Sequence, residues 1–134
     1  MVDAQPATQA RPVLVTLPAE IDLVNADATG QQLADAMIPG VNLVIADMTA
    51  TTFCYSMGIR MLVLACREAA ANGTELRLVL PCPHVLRIMR LMGVDDALPL
   101  YQSLDEALPP ADAQPQSRAV SLLLARLVRR VIPH

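Results

Sequence analysis

The feature that most constrains the fold is the nearly continuous apolar run from Val41 to Met48, which reads VNLVIADM. Apolar and polar residues alternate poorly in this run, so a strand made from it would be buried on both faces. Such a strand needs packed elements on both sides, as in a parallel sheet covered by helices. The run therefore predicts an α/β fold.

Strand-like and helix-like segments alternate along the chain on either side of this run. Further strands are predicted at Val13–Leu17, at Glu75–Leu80 and, as a short or edge strand, at 97–101, where Pro99 has no N–H to donate. Helical patterns follow Asn25 or Asp27, Ser56, Pro83 and Ser103, and glycines at 40, 73 and 93 end the first three. We expect a mixed, mostly parallel sheet of about four strands packed against about four helices.

The length of 134 residues suits a single domain with terminal extensions. We expect a flexible leader at 1–11, the folded domain at 12–108, a proline-rich linker at 109–116 and a C-terminal amphipathic helix at 117–134. That last segment places valines and leucines on one helical face and arginines on the other. It is interpreted as a helix that covers the domain or joins two copies; a membrane-surface helix and a partner-docking helix are the alternatives.

Composition excludes several classes of function. A net charge of −3 and only three aromatic residues argue against a nucleic-acid-binding protein. Three cysteines without CxxC spacing indicate free thiols, and two histidines are too few for a zinc site, so no metal is expected. No signal peptide and no run long enough to span a membrane are found, so we expect a cytoplasmic protein without an integral membrane segment.

Catalytic motifs are also missing. The five glycines do not cluster into a phosphate-binding loop, so no nucleotide cofactor is expected. A hydrolase that uses Ser56 and His84 is a remaining alternative, but nothing else in the sequence supports it. We therefore expect a protein that is not an enzyme and has no catalytic residues.

One serine lies where a predicted strand is followed by a helix. The segment TFCYSMG, 52–58, places Ser56 at the start of the helix that runs to Asn72. A serine there is either an N-cap, which stabilises a helix by about 1 kcal/mol, or a phosphate acceptor beside the unpaired N–H groups of the helix. The residues alone leave both interpretations open.

Three segments in the expected order carry a resemblance to a known family: LPAEIDLVNADATGQQL, VIADMTATTFCYSMGIRMLVLACREAAANGTELRLV and VLRIMRLMGVDDALPLYQSLDEAL. Together they resemble the STAS family, the sulfate transporter and anti-sigma factor antagonist domains, over about residues 12–108. The resemblance implies an antagonist that binds a cognate anti-sigma factor, a serine kinase that carries ATP and Mg²⁺ itself, and so releases a bacterial sigma factor for transcription. Phosphorylation of the serine that matches Ser56 would end this binding.

The resemblance also implies a partner-binding surface, made of Asp22, Asn25, Tyr55, Ser56, Met57 and Gly58. Asp22 has an alternative role as a carboxylate that caps its own loop. Tyr55 stands where the family has aspartate, and Met57 replaces a second hydroxyl residue, so Ser56 is either a phosphoacceptor with altered partner specificity or only a cap. A STAS subunit of an ABC-type lipid or solute transport complex, without a phosphorylation switch, is the alternative function. The sequence leaves open whether two copies form a homodimer.

Overall fold

The computed structural model describes residues 12–109 and 128–131. The strands of the chain are β1 (Val13–Thr16), β2 (Glu20–Ile21), β3 (Leu43–Asp47), β4 (Phe53–Cys54), β5 (Glu75–Val79), β6 (Leu100–Tyr101) and β7 (Val128–Val131). The helices are α1 (Ala26–Ala36), α2 (Ser56–Ala71), α3 (Pro83–Leu91) and α4 (Leu104–Ala107), with one 3-10 turn at Asp95–Ala97.

Five strands form one parallel sheet in the order β6-β5-β3-β1-β7. Its register pairs Val13 with Val44 and Leu43 with Glu75, and all neighbouring strands in this sheet run parallel. The four strands that the sequence predicts are β1, β3, β5 and β6. The predicted α/β architecture, a mostly parallel sheet packed against four helices, is thus confirmed.

Both faces of the central strands are buried, as the run at 41–48 predicts. On one face the side chains of β1, β3 and β5 pack against α1, α2 and α3, and this larger core contains Val15, Ala46 and Leu78. On the other face Leu14 and Ile45, both 0% exposed, belong to a smaller core with Ala107 and Leu108. Successive residues of a strand point to opposite faces, which is why Leu14 and Val15 enter different cores.

The end of the chain requires a correction. The sequence predicts a helix at 117–134, but its residues Val128–Val131 form β7, which lies parallel to β1 with Val13 opposite Val128. The prediction is wrong for these four residues, because an edge of β1 with unpaired N–H and C=O groups can accept a further strand and valine favours strands. The rest of that predicted helix, the leader at 1–11 and most of the linker at 109–116 lie outside the described residues.

Backbone geometry and capping contacts confirm several of the predicted helix ends and helix starts. Gly73 and Gly93 follow α2 and α3 with φ of 76° and 75°, a left-handed conformation that favours glycine. Pro83 is the first residue of α3. Ser103 is the N-cap of α4, and its hydroxyl accepts a hydrogen bond from the Glu106 N–H at 3.2 Å.

Candidate functional site

Two loops meet at the carboxyl ends of β1 and β3, and a short parallel pair of strands joins them. β2 and β4 pair Glu20 with Phe53 and Ile21 with Cys54, and the sequence analysis predicts neither of these strands. The Tyr55 N–H continues this pairing by donating to the Ile21 carbonyl at 2.9 Å. The start of α2 is therefore held against the segment that leads into α1. Clefts at this end of parallel strands commonly bind ligands.

Gly58 lets the first turn of α2 pack closely on this pair. A Cβ atom at Gly58 would lie 2.6 Å from Ile21 Cγ2 and 2.8 Å from Cys54 Sγ, distances that Cβ atoms essentially never show. Ile21 and Cys54 are themselves buried, at 0% and 1% exposure, so neither side chain can move aside. Gly58, predicted as a partner-binding residue, is buried here and sets the position of the helix.

Ser56 is exposed and is the first residue inside α2 rather than its cap. Tyr55 occupies the N-cap position with extended backbone, and its carbonyl accepts the Ile59 N–H at 3.0 Å. No side chain caps this helix start. Within the part of the chain that the structure describes, the Ser56 hydroxyl therefore does not perform the capping role that local sequence suggests.

The turn before α1 is fixed by a reciprocal pair of side chains. The Asp22 Oδ1 atom accepts from the N–H groups of Val24 and Asn25, both at 3.0 Å. The Asn25 Oδ1 atom accepts from the Asp22 N–H at 2.9 Å, and its Nδ2 donates to the Glu20 carbonyl at 2.8 Å. Both Asp22 and Asn25, predicted as partner-binding residues, thus make the hydrogen bonds that shape their own turn.

The aromatic residues beside Ser56 stack on one another. The rings of Phe53 and Tyr55 are nearly parallel, with their centroids 4.6 Å apart, and His84 approaches Phe53 edge-on at 5.5 Å. Residues two apart in an extended segment share a side, which explains why Phe53 and Tyr55 meet. Tyr55 is 47% exposed and Phe53 36%, so together they present an aromatic surface to solvent beside Ser56.

Met57 extends this surface toward α1. It is 44% exposed and lines a groove of about 360 Å³ between α1 and α2, together with Ala26, Gly30 and Arg60. The first turns of the two helices are therefore adjacent. We call the exposed residues at this end of the molecule the Ser56 face; they are Leu23, Val24, Phe53, Tyr55, Ser56 and Met57.

Three residues around the site were missed by the sequence analysis: Leu23, Val24 and Phe53. Leu23 and Val24 are large apolar residues exposed to solvent, and the only signal in the sequence is their position between Asp22 and Asn25, two strong turn formers. Phe53 and His84 come together only through the placement of β4 beside α3. No local pattern predicts that contact.

The site offers no support for hydrolytic chemistry. No hydrogen bond between Ser56 and His84 is found in residues 12–109, and His84 contacts the Phe53 ring instead. Burial raises the pKa of the Cys54 thiol to about 12 and that of Cys66 to about 11, so both remain protonated at neutral pH and are poor nucleophiles. The described residues contain no group of three His, Cys, Asp or Glu side chains placed to hold a metal ion.

The sequence matches the family model of the STAS domain over residues 3–107. Because this match spans most of the chain, the protein belongs to the STAS domain family. No curated protein sequence matches the chain significantly.

Solved structures with the same fold include anti-sigma factor antagonists and a transporter-family protein. An anti-sigma factor antagonist from Mycobacterium paratuberculosis is 29% identical, with a TM-score of 0.61 over 70% of this chain and 81% of that one. The phosphorylated form of the Bacillus cell fate determinant SpoIIAA is 20% identical, with a TM-score of 0.53 over 72% of this chain and 87% of that one. A sulfate transporter family protein from Wolinella succinogenes is 16% identical, with a TM-score of 0.64 over 85% of this chain and 88% of that one.

The similarity to a transporter-family protein raises the question of whether this chain contains a membrane-spanning helix. Among the residues that the structure describes, none of the helices has both the length and the apolar character required for a membrane span.

Proposed function

We propose that the protein is an anti-sigma factor antagonist whose Ser56 face binds a cognate anti-sigma factor, so that a sigma factor is released for transcription in the bacterial cytoplasm. The observation that carries this proposal is the state of Ser56: its hydroxyl is exposed at the start of α2 and is not used as a cap. The 29% identity with an antagonist from Mycobacterium paratuberculosis supports it. Asp22, Asn25, Tyr55, Met57 and Gly58 form or position the same surface.

Phosphorylation of Ser56 would switch this binding off. A phosphate adds a charge of about −1.5 to −2 at neutral pH, and burying that charge against a surface fitted to a neutral hydroxyl is costly. The start of α2 can hold the phosphate, because its first N–H groups have no partners within the helix. That SpoIIAA, which shares the fold, exists in a phosphorylated form supports this step. ATP and Mg²⁺ would be bound by the kinase, and this chain would perform no catalysis.

Tyr55 gives the proposal a feature specific to this chain. Its ring stacks on Phe53, whereas the resemblance expects an aspartate in its place. A partner that binds this site would contact an aromatic surface rather than a carboxylate next to the serine. We infer that the partner differs from those of antagonists with an acidic residue at this position.

Phosphate transfer tests the proposal directly. The full-length chain is incubated with Mg²⁺-ATP and each anti-sigma factor kinase of its source genome, and phosphorylated residues are mapped by mass spectrometry. We expect one kinase to add one phosphate, at Ser56, and to leave the Ser56→Ala variant unmodified. The Ser56→Asp variant should bind that kinase at least about tenfold more weakly than the unmodified protein. Phosphate at another residue, or none with any kinase, would contradict the proposal.

A second candidate is a STAS subunit of an ABC-type membrane transport complex that has no phosphorylation switch. The observation in its favour is the pair of replacements at the site, Tyr55 for an acidic residue and Met57 for a hydroxyl residue, which makes the surface more apolar. The shared fold with a transporter-family protein is compatible with it. In that case the protein copurifies with an ATPase or permease, and no kinase adds phosphate to Ser56.

A further inference from the structure

Two large apolar side chains stand in solvent at the tip of the turn before α1. Leu23 is 72% exposed and Val24 is 90% exposed, the highest value for a large apolar residue among those described. Soluble proteins tolerate single exposed apolar residues, but an apolar cluster marks an interaction surface more often. The turn that carries them directly follows β2, which pairs with β4, and the Tyr55 N–H bonds to the Ile21 carbonyl, so the tip lies at the same end of the molecule as the exposed Phe53, Tyr55 and Met57.

The turn that carries them is held by side-chain hydrogen bonds. Four bonds between 2.8 and 3.0 Å link Asp22, Asn25 and the Glu20 carbonyl across this turn. The Tyr55 N–H anchors the preceding Ile21 carbonyl to the start of α2. A surface loop that is already ordered loses little conformational entropy when it binds. More of the free energy gained by burying its apolar side chains therefore contributes to the binding affinity. This arrangement is typical of a binding anchor rather than of a mobile loop.

The charged residues of the chain segment that carries the tip are all acidic. From Glu20 to Ile59 the chain has no basic residue, and it carries five carboxylates: Glu20, Asp22, Asp27, Asp35 and Asp47. Of these, Glu20 and Asp27 are exposed and flank the tip directly. Two basic side chains among the described residues lie beside this face: Arg60 lines the same groove as Met57, and His84 contacts the Phe53 ring. A complementary surface therefore combines apolar side chains with arginine or lysine beside them.

We propose that Leu23 and Val24 form a preorganised hydrophobic anchor, which packs into a partner protein segment whose apolar side chains are flanked by arginine or lysine. This inference rests on the proposed function, since it names the chemistry of the partner that the Ser56 face binds. It assigns the largest part of the binding energy to residues that carry no hydroxyl and undergo no modification. Ser56 then controls the interaction, while Leu23 and Val24 provide its strength.

Selection from a displayed library of random 16-residue peptides tests this even while the partner is unidentified. The full-length protein is the bait, and the enriched peptides are sequenced and synthesised. We expect them to combine leucine, isoleucine or aromatic residues with arginine or lysine. Their affinity for a Leu23→Ser/Val24→Ser variant should be lower by about tenfold or more, because two exposed apolar contacts are lost.

The matched control is Leu91→Ser. Leu91 is 78% exposed, close to the value for Leu23, but it is the last residue of α3, seven residues or about 10 Å of helix beyond His84. This variant should bind the peptides as the unmodified protein does. All variants are first compared by thermal unfolding, which the exposure of these side chains predicts to be unchanged. The proposal would be overturned if both variants lost peptide affinity equally. It would also be overturned if the enriched peptides were acidic, or if no peptide were enriched.

A Ser56→Asp variant separates this proposal from the proposed function. Peptides that lose affinity with the Leu23 and Val24 changes but tolerate Ser56→Asp would uphold the anchor and count against the phosphorylation switch. The reverse pattern would uphold the switch and overturn the anchor. Phosphatidylcholine vesicles with and without phosphatidylglycerol provide the last comparison: binding of the protein to either, abolished by the Leu23 and Val24 changes, would assign the tip to a membrane surface and overturn the protein partner.

Discussion

Two helices of this protein begin beside a serine, and the two serines do different things. At the start of α4, Ser103 is the N-cap, and its hydroxyl accepts the Glu106 N–H at 3.2 Å. At the start of α2, Tyr55 is the N-cap, and Ser56 is one residue inside the helix with an exposed hydroxyl. A shift of one residue thus separates a serine that stabilises a helix from one that is available to a partner.

The cause of the shift lies in the strand that precedes α2. β4 pairs with β2, and the Tyr55 N–H extends that pairing to the Ile21 carbonyl, which keeps Tyr55 extended. The first residue with helical geometry is therefore Ser56. Before α4 the strand pairing of β6 with β5 ends at Tyr101, and the Gln102 N–H then bonds to the Glu106 carboxylate at 3.1 Å. Tertiary pairing fixes one helix start, and local capping fixes the other.

The largest expected effect comes from disturbing the contact that fixes the start of α2. We expect Gly58→Ala to lower the free energy of unfolding by about 1–3 kcal/mol, because the new methyl group overlaps Ile21 and Cys54 in a closed space. Urea denaturation measures the change. Gly30→Ala is the matched control: its Cβ would meet only the Met61 side chain, at 2.9 Å, and methionine can adapt.

We expect Gly30→Ala to change stability by less than about 1 kcal/mol, in the stabilising direction, because alanine favours helix more than glycine does. If the two glycine variants behaved alike, tight packing would not explain the position of α2.

The next effect distinguishes the two serines themselves. Ser103→Ala should lower the free energy of unfolding by about 1 kcal/mol, because the Glu106 N–H loses its acceptor. Ser56→Ala should change it by less than about 0.5 kcal/mol, since no cap is removed. Denaturation of both variants under one set of conditions gives the comparison. An equal loss at Ser56 would show that its hydroxyl caps α2 in solution.

The smallest effect tests how the start of α2 responds to negative charge. Ser56→Asp should raise the free energy of unfolding by about 0.3–1 kcal/mol at low ionic strength, because a carboxylate there interacts favourably with the helix dipole. The gain should diminish at about 1 M salt, where charges are screened. Thermal unfolding at the two ionic strengths measures both quantities. Ser103→Asp is the control, since aspartate is itself a good N-cap. Destabilisation by Ser56→Asp would argue against a phosphate site.

Much of the fold was predictable, since its signals are local. The apolar run at 41–48, the turn residues and the helical periodicities predict β1, β3, β5 and β6 and the helices between them. The candidate site near Ser56 was proposed from the resemblance to the STAS family. Two predictions about the site are tested by the experiments above. The first is phosphorylation of Ser56, and the second is binding of a partner by the surface that Asp22, Asn25, Tyr55, Met57 and Gly58 form or position.

The strands and the aromatic contact that escaped prediction depend on segments far apart in the chain. β2 and β4 are two residues each, too short for any pattern to show, and they exist only because they pair with each other. β7 forms because the edge of β1 accepts it, although its sequence also fits a helix. The contact of His84 with Phe53 joins residues separated by thirty positions of chain that contain α2 and β5.

The sequence by itself determined the order of strands and helices, because hydrophobic periodicity and turn chemistry act within a few residues. It also determined that a serine stands where α2 begins. Only the tertiary structure decided what that serine does. The pairing of β2 with β4 made Tyr55 the cap, and the contact of Gly58 with Ile21 fixed the helix in place. Such contacts depend on which surfaces meet, and no local pattern specifies that.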